Sequence, residues 1–380
     1  MTGRRVVAVL TTGRQDWGIV HSTCVAIRAH PSLELRLIAG GTHGATSSPA
    51  TLEIIRDDGF EPDLVLPWDD AHDPATAASL TLEALHRALR DQPVDALLVV
   101  GDRFETAAAA LAATLARVPI IHVHGGEQTF GAFDDALRNA ITKLSHLHLV
   151  SHEEHRRRVI AMGEDPAAVH VVGAPGLDAA VREDLPDREA LAAELGTSLE
   201  APVVIVTVHP ATLEVDPAAA ARAVVAAMDD VDARYVITLP NADPGSAEVR
   251  ALLEGAAARP GRTSVEALGE RRYWGLLRIA DAMLGNSSSA LVEAPAVDLP
   301  AVNVGERQAG RRREANVIDA PAEAEAVAGA LRRALDPRAR DALRAAHEPL
   351  ADGRAGQRIA DIIARWRPPS PPRKPPIRIA

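Results

Sequence analysis

The stretch ALLVVGDRFE (residues 96–105), followed after an alanine-rich segment by IIHVHGGEQTFGAFDDALRNAITKLSHLH (residues 120–148), decides how this chain folds. Residues 96–100 are a continuous apolar run of strand length that breaks at Gly101-Asp102-Arg103. Such a run predicts a parallel strand buried on both faces, with the acid and the base emerging at its carboxyl end. Ligands collect at that end of an open parallel sheet. Residues 120–124 repeat the pattern and break at Gly125-Gly126-Glu127, where paired glycines let the backbone turn sharply or approach a ligand. Glu127 is therefore expected in the same crevice as Asp102. From Phe133 onward Leu137, Ile141 and Leu144 mark one helical face, while Asp134/Arg138 and Asp135/Asn139 stand one turn apart and can pair.

Each piece taken alone has a plainer account. Asp102, Arg103 and Glu105 would serve as an ordinary solvated charge cluster, since surface ion pairs are common and weak. His122 and His124 alternate on the predicted strand and would share a face, which with Glu127 suggests a metal site. Against a metal, Cys24 is the only cysteine and no HExxH or similar ligand set is present.

At 380 residues the chain exceeds what one core usually organises, so two domains are expected. A formal charge of −11 argues against nucleic acid or an anionic membrane as partner, both of which need a broad basic surface. A single cysteine rules out an internal disulfide framework. The first apolar run, residues 6–10, is too short for a signal or membrane segment, and a cytoplasmic protein is expected. Of 41 basic residues only Lys143 and Lys374 are lysines, so a Schiff-base mechanism would have to use Lys143.

In chain order, residues 6–10 read as a first strand and residues 11–18 as a loop entering a helix, an arrangement suited to an anion. Residues 35–39 form a second strand that places His43 at its carboxyl end; residues 64–67 add an edge strand and residues 75–89 a helix. Alternating strands and helices give a doubly wound parallel sheet. It continues through strands at 147–150 and 169–172, with a helix at 153–162 between them and a hinge at about 177–186. The second half repeats the architecture. Residues 203–208 end at His209, residues 235–239 end at Pro240-Asn241, and Leu284-Gly285-Asn286-Ser287-Ser288-Ser289 opens a helix running through Glu293 to Pro295. The serines suit either a phosphate or an N-cap. Helices at 327–343 and 356–366 close the chain, and the Pro-rich residues 367–380 are expected as a disordered or extended tail. The expected division is an N-terminal Rossmann-like domain over 1–178, a second over 179–355, and a helix at 356–366 crossing back. Neither a dinucleotide GxGxxG with its acid nor a P-loop appears, and no cofactor is called for.

GDRFE, HVHGGE, the Asp134-Asp135 pair, Arg138 and AITKLSHLH, with further matches from Arg14 to about Ile318, resemble the hydrolysing UDP-N-acetylglucosamine 2-epimerases of sialic- and nonulosonic-acid synthesis. The resemblance implies a two-domain fold of the glycosyltransferase-B type with the active site between the domains. It further implies a UDP-sugar substrate, UDP as product, and a homodimer or higher homo-oligomer. The implied reaction removes the C2 proton and UDP to give a glycal, then adds water to yield the free 2-epimer, N-acetylmannosamine or its analogue. Asp102, Glu127 and Asp135 are then the candidate acid/base carboxylates, with Arg138 and His209 completing the catalytic set and Arg14, His209 and residues 287–289 steadying the leaving diphosphate. Arg14, His43, Arg103, His124, Asn241, Ser287, Ser288, Ser289, Glu293 and Arg307 are implied substrate contacts. Two departures from the family pattern stand out: Asn139 replaces a histidine that could exchange protons, and Phe130 replaces a small or acidic residue, which makes a 2,4-diacetamido trideoxyhexose an alternative sugar. A non-hydrolysing epimerase, a retaining glycosyltransferase and a non-catalytic UDP-sugar sensor are the competing functions.

Overall fold

The computed structural model describes residues 3–44, 50–67, 73–128, 134–211, 214–240, 245–266, 268–346 and 352–374. They fold as two compact units: the described residues up to 178 together with those beyond 350 make the first, and those within 179–350 the second. No helix among the described residues is long and apolar enough to cross a membrane.

The first unit contains β1 (Arg5–Thr11), α1 (Arg14–Ala29), β2 (Leu33–Ala39), α2 (Ala50–Asp57), β3 (Leu64–Val65), α3 (Pro74–Asp91), β4 (Ala96–Val100), α4 (Phe104–Ala116), β5 (Ile120–Val123), α5 (Asp134–Leu144), β6 (Leu147–Val150), α6 (Glu153–Ala161) and β7 (Val169–Val171). Its seven strands are all parallel in the order β3-β2-β1-β4-β5-β6-β7. β4 and β5 are buried along their whole length, as a strand covered on both faces must be. α3, α4 and α5 cover one face through Leu85, Ala109, Ala113 and Ile141, and α1 covers the other through Trp17, Val20 and Ile27. Alanines let α4 sit close to both α3 and the sheet, which accounts for the alanine-rich composition of that segment.

The second unit contains α7 (Arg188–Leu195), β8 (Val203–Thr207), α8 (Ala219–Asp230), β9 (Arg234–Thr238), α9 (Ser246–Ala257), β10 (Arg262–Val265), α10 (Gly269–Ile279), β11 (Ala282–Gly285), α11 (Ser289–Val292), β12 (Ala301–Val304), β13 (Val317–Ala320), α12 (Ala324–Ala334) and α13 (Pro337–Ala346). Six parallel strands run in the order β10-β9-β8-β11-β12-β13. The helix expected at 327–343 is two helices, because Pro337 cannot continue α12 and instead starts α13. The helix expected from Ser289 to Pro295 is a single turn, α11, followed by a 3-10 turn at Ala294–Val297 that accommodates Pro295.

The last helix, α14 (Ala355–Arg365), belongs to the first unit. Asp178 holds its start by accepting the N–H groups of Ala355 (3.0 Å) and Gly356 (2.7 Å). Ile359, Ala360 and Ile363 then bury against α1 and the sheet. Two Rossmann-like α/β domains of the glycosyltransferase-B type are the result.

Candidate active site

In an open parallel sheet the strand order reverses at a switch point, and the crevice above it is where ligands bind. In the first unit the reversal falls between β1 and β4, so Thr12, Gly13 and Arg14 after β1 face Asp102 and Arg103 after β4. In the second it falls between β8 and β11, which puts His209 beside Asn286 and the three serines.

Around the first switch point nearly every candidate side chain has a partner. The Arg138 guanidinium, only 4% exposed on α5, bonds Asp102 and also donates to Asp135 Oδ1 at 3.1 Å. The Asp135 partner is thus three residues away, not the i,i+4 neighbour expected from spacing, and Asn139 lies on the exposed side of α5. Arg103 forks onto Glu105 at 2.6 and 3.3 Å. Glu105 is fully buried, which no solvated charge cluster would be.

His122 and His124 take separate roles. His122 is completely buried; its Nε2–H donates to Gly101 O at 2.9 Å and its Nδ1 accepts from Thr142 Oγ1 at 3.2 Å. Burial pushes this imidazole down to about 3, so it stays neutral and locks β5 to β4 and α5. His124 lies beyond the end of β5 with φ of 66°, a left-handed conformation rare for a side chain of its size. That turn breaks the strand alternation and with it the shared face on which the metal site depended. Gly126, with φ of 78°, is obligatory, since a Cβ there would lie 2.5 Å from His155 O.

The turned His124 meets Glu127, Nδ1 to Oε1 at 2.6 Å. Burial opposes charge on both groups, but each outweighs that for the other. The imidazole holds the Glu127 carboxyl well below the usual range, and the carboxylate raises the affinity of His124 for its proton. Glu127 also accepts from Ser151 Oγ (3.1 Å), which in turn accepts from His155 Nδ1 (2.9 Å). The His124–Glu127 pair is the group best suited to carry a proton here, and Ser151 and His155 were not singled out by sequence.

Arg14 opens α1, whose N-cap Gly13 offers no side chain to the first-turn N–H groups. Asp16, also missed by sequence, turns back to accept from Thr12 N at 3.2 Å and from the Thr12 hydroxyl. His43 is buried with both ring nitrogens engaged, Nε2 by Thr11 Oγ1 (3.0 Å) and Nδ1 by Thr51 O (3.2 Å). Burial pushes it down to about 4, so any part it plays toward a sugar is played as a neutral ring.

The second unit gathers its candidates through one residue absent from the sequence-based set. Asn286, fully buried, accepts from His209 N and donates to His209 O, both at 2.8 Å. Its own carbonyl takes Arg307 Nη1 at 3.1 Å and Gln308 Nε2 at 2.9 Å. The end of β8, the serine turn and the loop carrying Arg307 are thereby fixed together. Gly285, φ 140°, lets this happen, because a Cβ would meet Thr207 O at 2.0 Å. Ser287 and Ser289 are buried and Ser287 Oγ accepts Ser289 N at 3.3 Å, while Ser288 is half-buried. Tyr273, half-buried, bonds Ser289 Oγ through its hydroxyl, and desolvation of the ring together with the charge of Glu293 keeps this phenol protonated. Asn241 and Phe130 fall outside the described residues.

A profile described as UDP-N-acetylglucosamine 2-epimerase matches residues 25–364. A Legionella pneumophila UDP-N,N'-diacetylbacillosamine 2-epimerase (hydrolyzing) is 31% identical, over 87% of this chain and 89% of the relative. A Campylobacter jejuni GDP/UDP-N,N'-diacetylbacillosamine 2-epimerase (hydrolyzing) is 30% identical, over 83% of this chain and 84% of the relative. Among solved structures, the Neisseria meningitidis UDP-GlcNAc 2-epimerase bound to UDP-GlcNAc superposes with a TM-score of 0.79, covering 95% of this chain and 100% of that one at 16% identity. The chain therefore belongs to the UDP-N-acetylglucosamine 2-epimerase family.

Proposed function

We propose that the protein is a hydrolysing 2-epimerase acting on a UDP-2-acetamido sugar, UDP-N-acetylglucosamine or a 2,4-diacetamido trideoxy analogue, with UDP held by the second unit and proton chemistry carried out by the first. The observation that carries it is the pairing of His124 with Glu127 one strand away from the Asp102–Arg138–Asp135 cluster. Hydrolytic relatives at about 30% identity support the hydrolysing form.

A C2–H is a weak acid, so its removal needs a positioned base and a stabilised leaving group. Asp102, oriented by Arg138, takes the C2 proton; the C–H electron pair becomes the C1=C2 bond as the C1–O bond to the diphosphate breaks. His209 and the serine turn receive the negative charge of UDP. Water then adds its hydroxyl to C1 while the His124–Glu127 pair, with Nδ1 committed to the carboxylate, returns a proton to C2 from the opposite face; the proton left by the water recharges His124, and the proton taken by Asp102 leaves to solvent with the departing UDP. The sum is substrate plus water giving the free 2-epimer and UDP.

Running the reaction in D₂O tests this directly. The expected product is a free sugar with deuterium at C2 and one UDP released per turnover. A UDP-linked epimer without UDP release would make it a non-hydrolysing epimerase, and free sugar carrying protium at C2 and an unchanged configuration would make it a simple hydrolase.

A further inference from the structure

The chain has 39 arginines and only two lysines, and both lysines stand on the same carboxylate. Glu164, buried to 2% side-chain exposure, takes Lys143 Nζ on Oε1 at 2.6 Å and Lys374 Nζ on Oε2 at 2.5 Å. His148 Nε2 lies 3.1 Å from Oε2. Lys374 arrives from the Pro-rich segment after α14, which has no helix or strand over its described residues 367–374. The last turn of α14, from which that segment departs, lies at the amino end of β1, where Arg5, the first residue of the strand, donates to Ile363 O. Its far end reaches the last turn of α5, where Lys374 Nζ donates to Thr142 O at 3.2 Å and to Lys143 O at 2.8 Å.

An α-helix ends with carbonyls that have no partner in the helix and with a partial negative charge. α5 runs straight into Ser145 and β6 with no glycine to form the usual left-handed cap. Ser145 N is shared between Ile141 O and Thr142 O, and Lys374 supplies both the remaining donor and the cation. An ammonium group has three N–H donors, and here three acceptors surround it: Glu164 Oε2, Thr142 O and Lys143 O. A planar guanidinium cannot place one nitrogen on that tripod, which gives a reason for lysine in a chain that otherwise uses arginine.

We propose that Lys374 is a positioning residue for the acid/base helix: the 367–374 strap pins the last turn of α5 to Glu164 and so fixes the register at which Arg138 holds Asp135 and Asp102. α5 is 11 residues long, and near its end Thr142 Oγ1 bonds it to His122 of β5. Loosening its last turn lets the helix slide or rotate by a fraction of an ångström, and misplacement on that scale is costly to a reaction that depends on alignment. The proposal rests on the assignment of Asp102 and Arg138 to proton transfer.

The test uses the full chain with Lys374→Met, which keeps the apolar stem, and Lys374→Arg, which keeps the charge without the tripod. Amide exchange in α5 should quicken about tenfold in Lys374→Met. Its kcat should fall about fivefold or more with KM and the UDP-induced rise in Tm unchanged, and Lys374→Arg should lie between it and the parent. A Lys374→Met protein of lowered Tm but parental kcat would show a merely structural strap and overturn the proposal, as would unaltered α5 exchange. Should Lys374→Met not fold, the Lys374→Arg protein carries the same comparison, with parental kcat and exchange overturning it. The exchange measurement needs no turnover: parent protein inactive on every UDP-sugar refutes the epimerase function, whereas unaltered α5 exchange refutes the strap.

Discussion

Replacing Glu127 by glutamine removes one negative charge and keeps size and shape, so it isolates what the carboxylate does for His124. In the folded protein the carboxylate receives Nδ1–H at 2.6 Å and holds the ring ready for protonation. A hydrogen bond to a charged group is worth about 1.5–3 kcal/mol. Since the Glu127 side chain keeps 33% of its surface exposed, the lower half of that range applies, about 1.5–2 kcal/mol. At 1.36 kcal/mol per tenfold, kcat should fall by about 10- to 30-fold, provided the pair acts in the rate-limiting step. Glu127 favours the protonated ring, so its loss should also move the limb of the pH profile that reports His124 toward lower pH. The measurement is kcat and KM from UDP release between pH 5 and 9, with the UDP-induced rise in Tm as a control for intact binding. If kcat stays within about threefold of the parent and the profile does not move, the pair has no part in proton transfer.

Three further outcomes are expected. UDP should raise Tm by mass action, and Glu293→Ala should reduce that rise; no stabilisation at millimolar UDP would remove the nucleotide site from the second unit. Asn286→Ala leaves His209 N and O without their side-chain partner and should cost about 2 kcal/mol or more in denaturant unfolding while weakening UDP; a loss below about 0.5 kcal/mol would mean the clamp is dispensable. Acid should destabilise the fold below about pH 6.5, because His43 and His122 are held neutral with folded values of about 4 and 3, so the unfolded chain binds the protons first. That stability is fully present above pH 6.5 and is lost as pH falls toward 4; a Tm flat from pH 7 to 5 would contradict it.

Much of the fold was legible because a parallel strand covered on both faces has to be apolar throughout, and each such run must stop where the chain leaves the sheet. Residues 96–100 and 203–208 show the effect, and the polar clusters after them mark the crevice ends without any knowledge of the partner strands. Strands with weaker runs escaped notice: β10, RTSV, is half-buried at the sheet edge, and its side chains carry no periodic signal. α2 and the split between α12 and α13 depend on local turns that periodicity does not register.

What the sequence determined by itself was the set of chemical groups and the strand ends that bear them: Asp102 and Arg103 after β4, Glu127 after β5, His209 after β8, the serines after β11. These are local properties, fixed by where an apolar run ends. Which groups pair was decided only by the tertiary structure, because pairing depends on backbone turns and on residues far apart in the chain. A left-handed His124 faces Glu127, Asn286 clamps His209 from 77 positions away, and Lys374 reaches α5 across more than 230. Register along a helix and turn geometry after a strand are settled by the packing of the whole unit, and that packing chooses among partners that the sequence leaves equivalent.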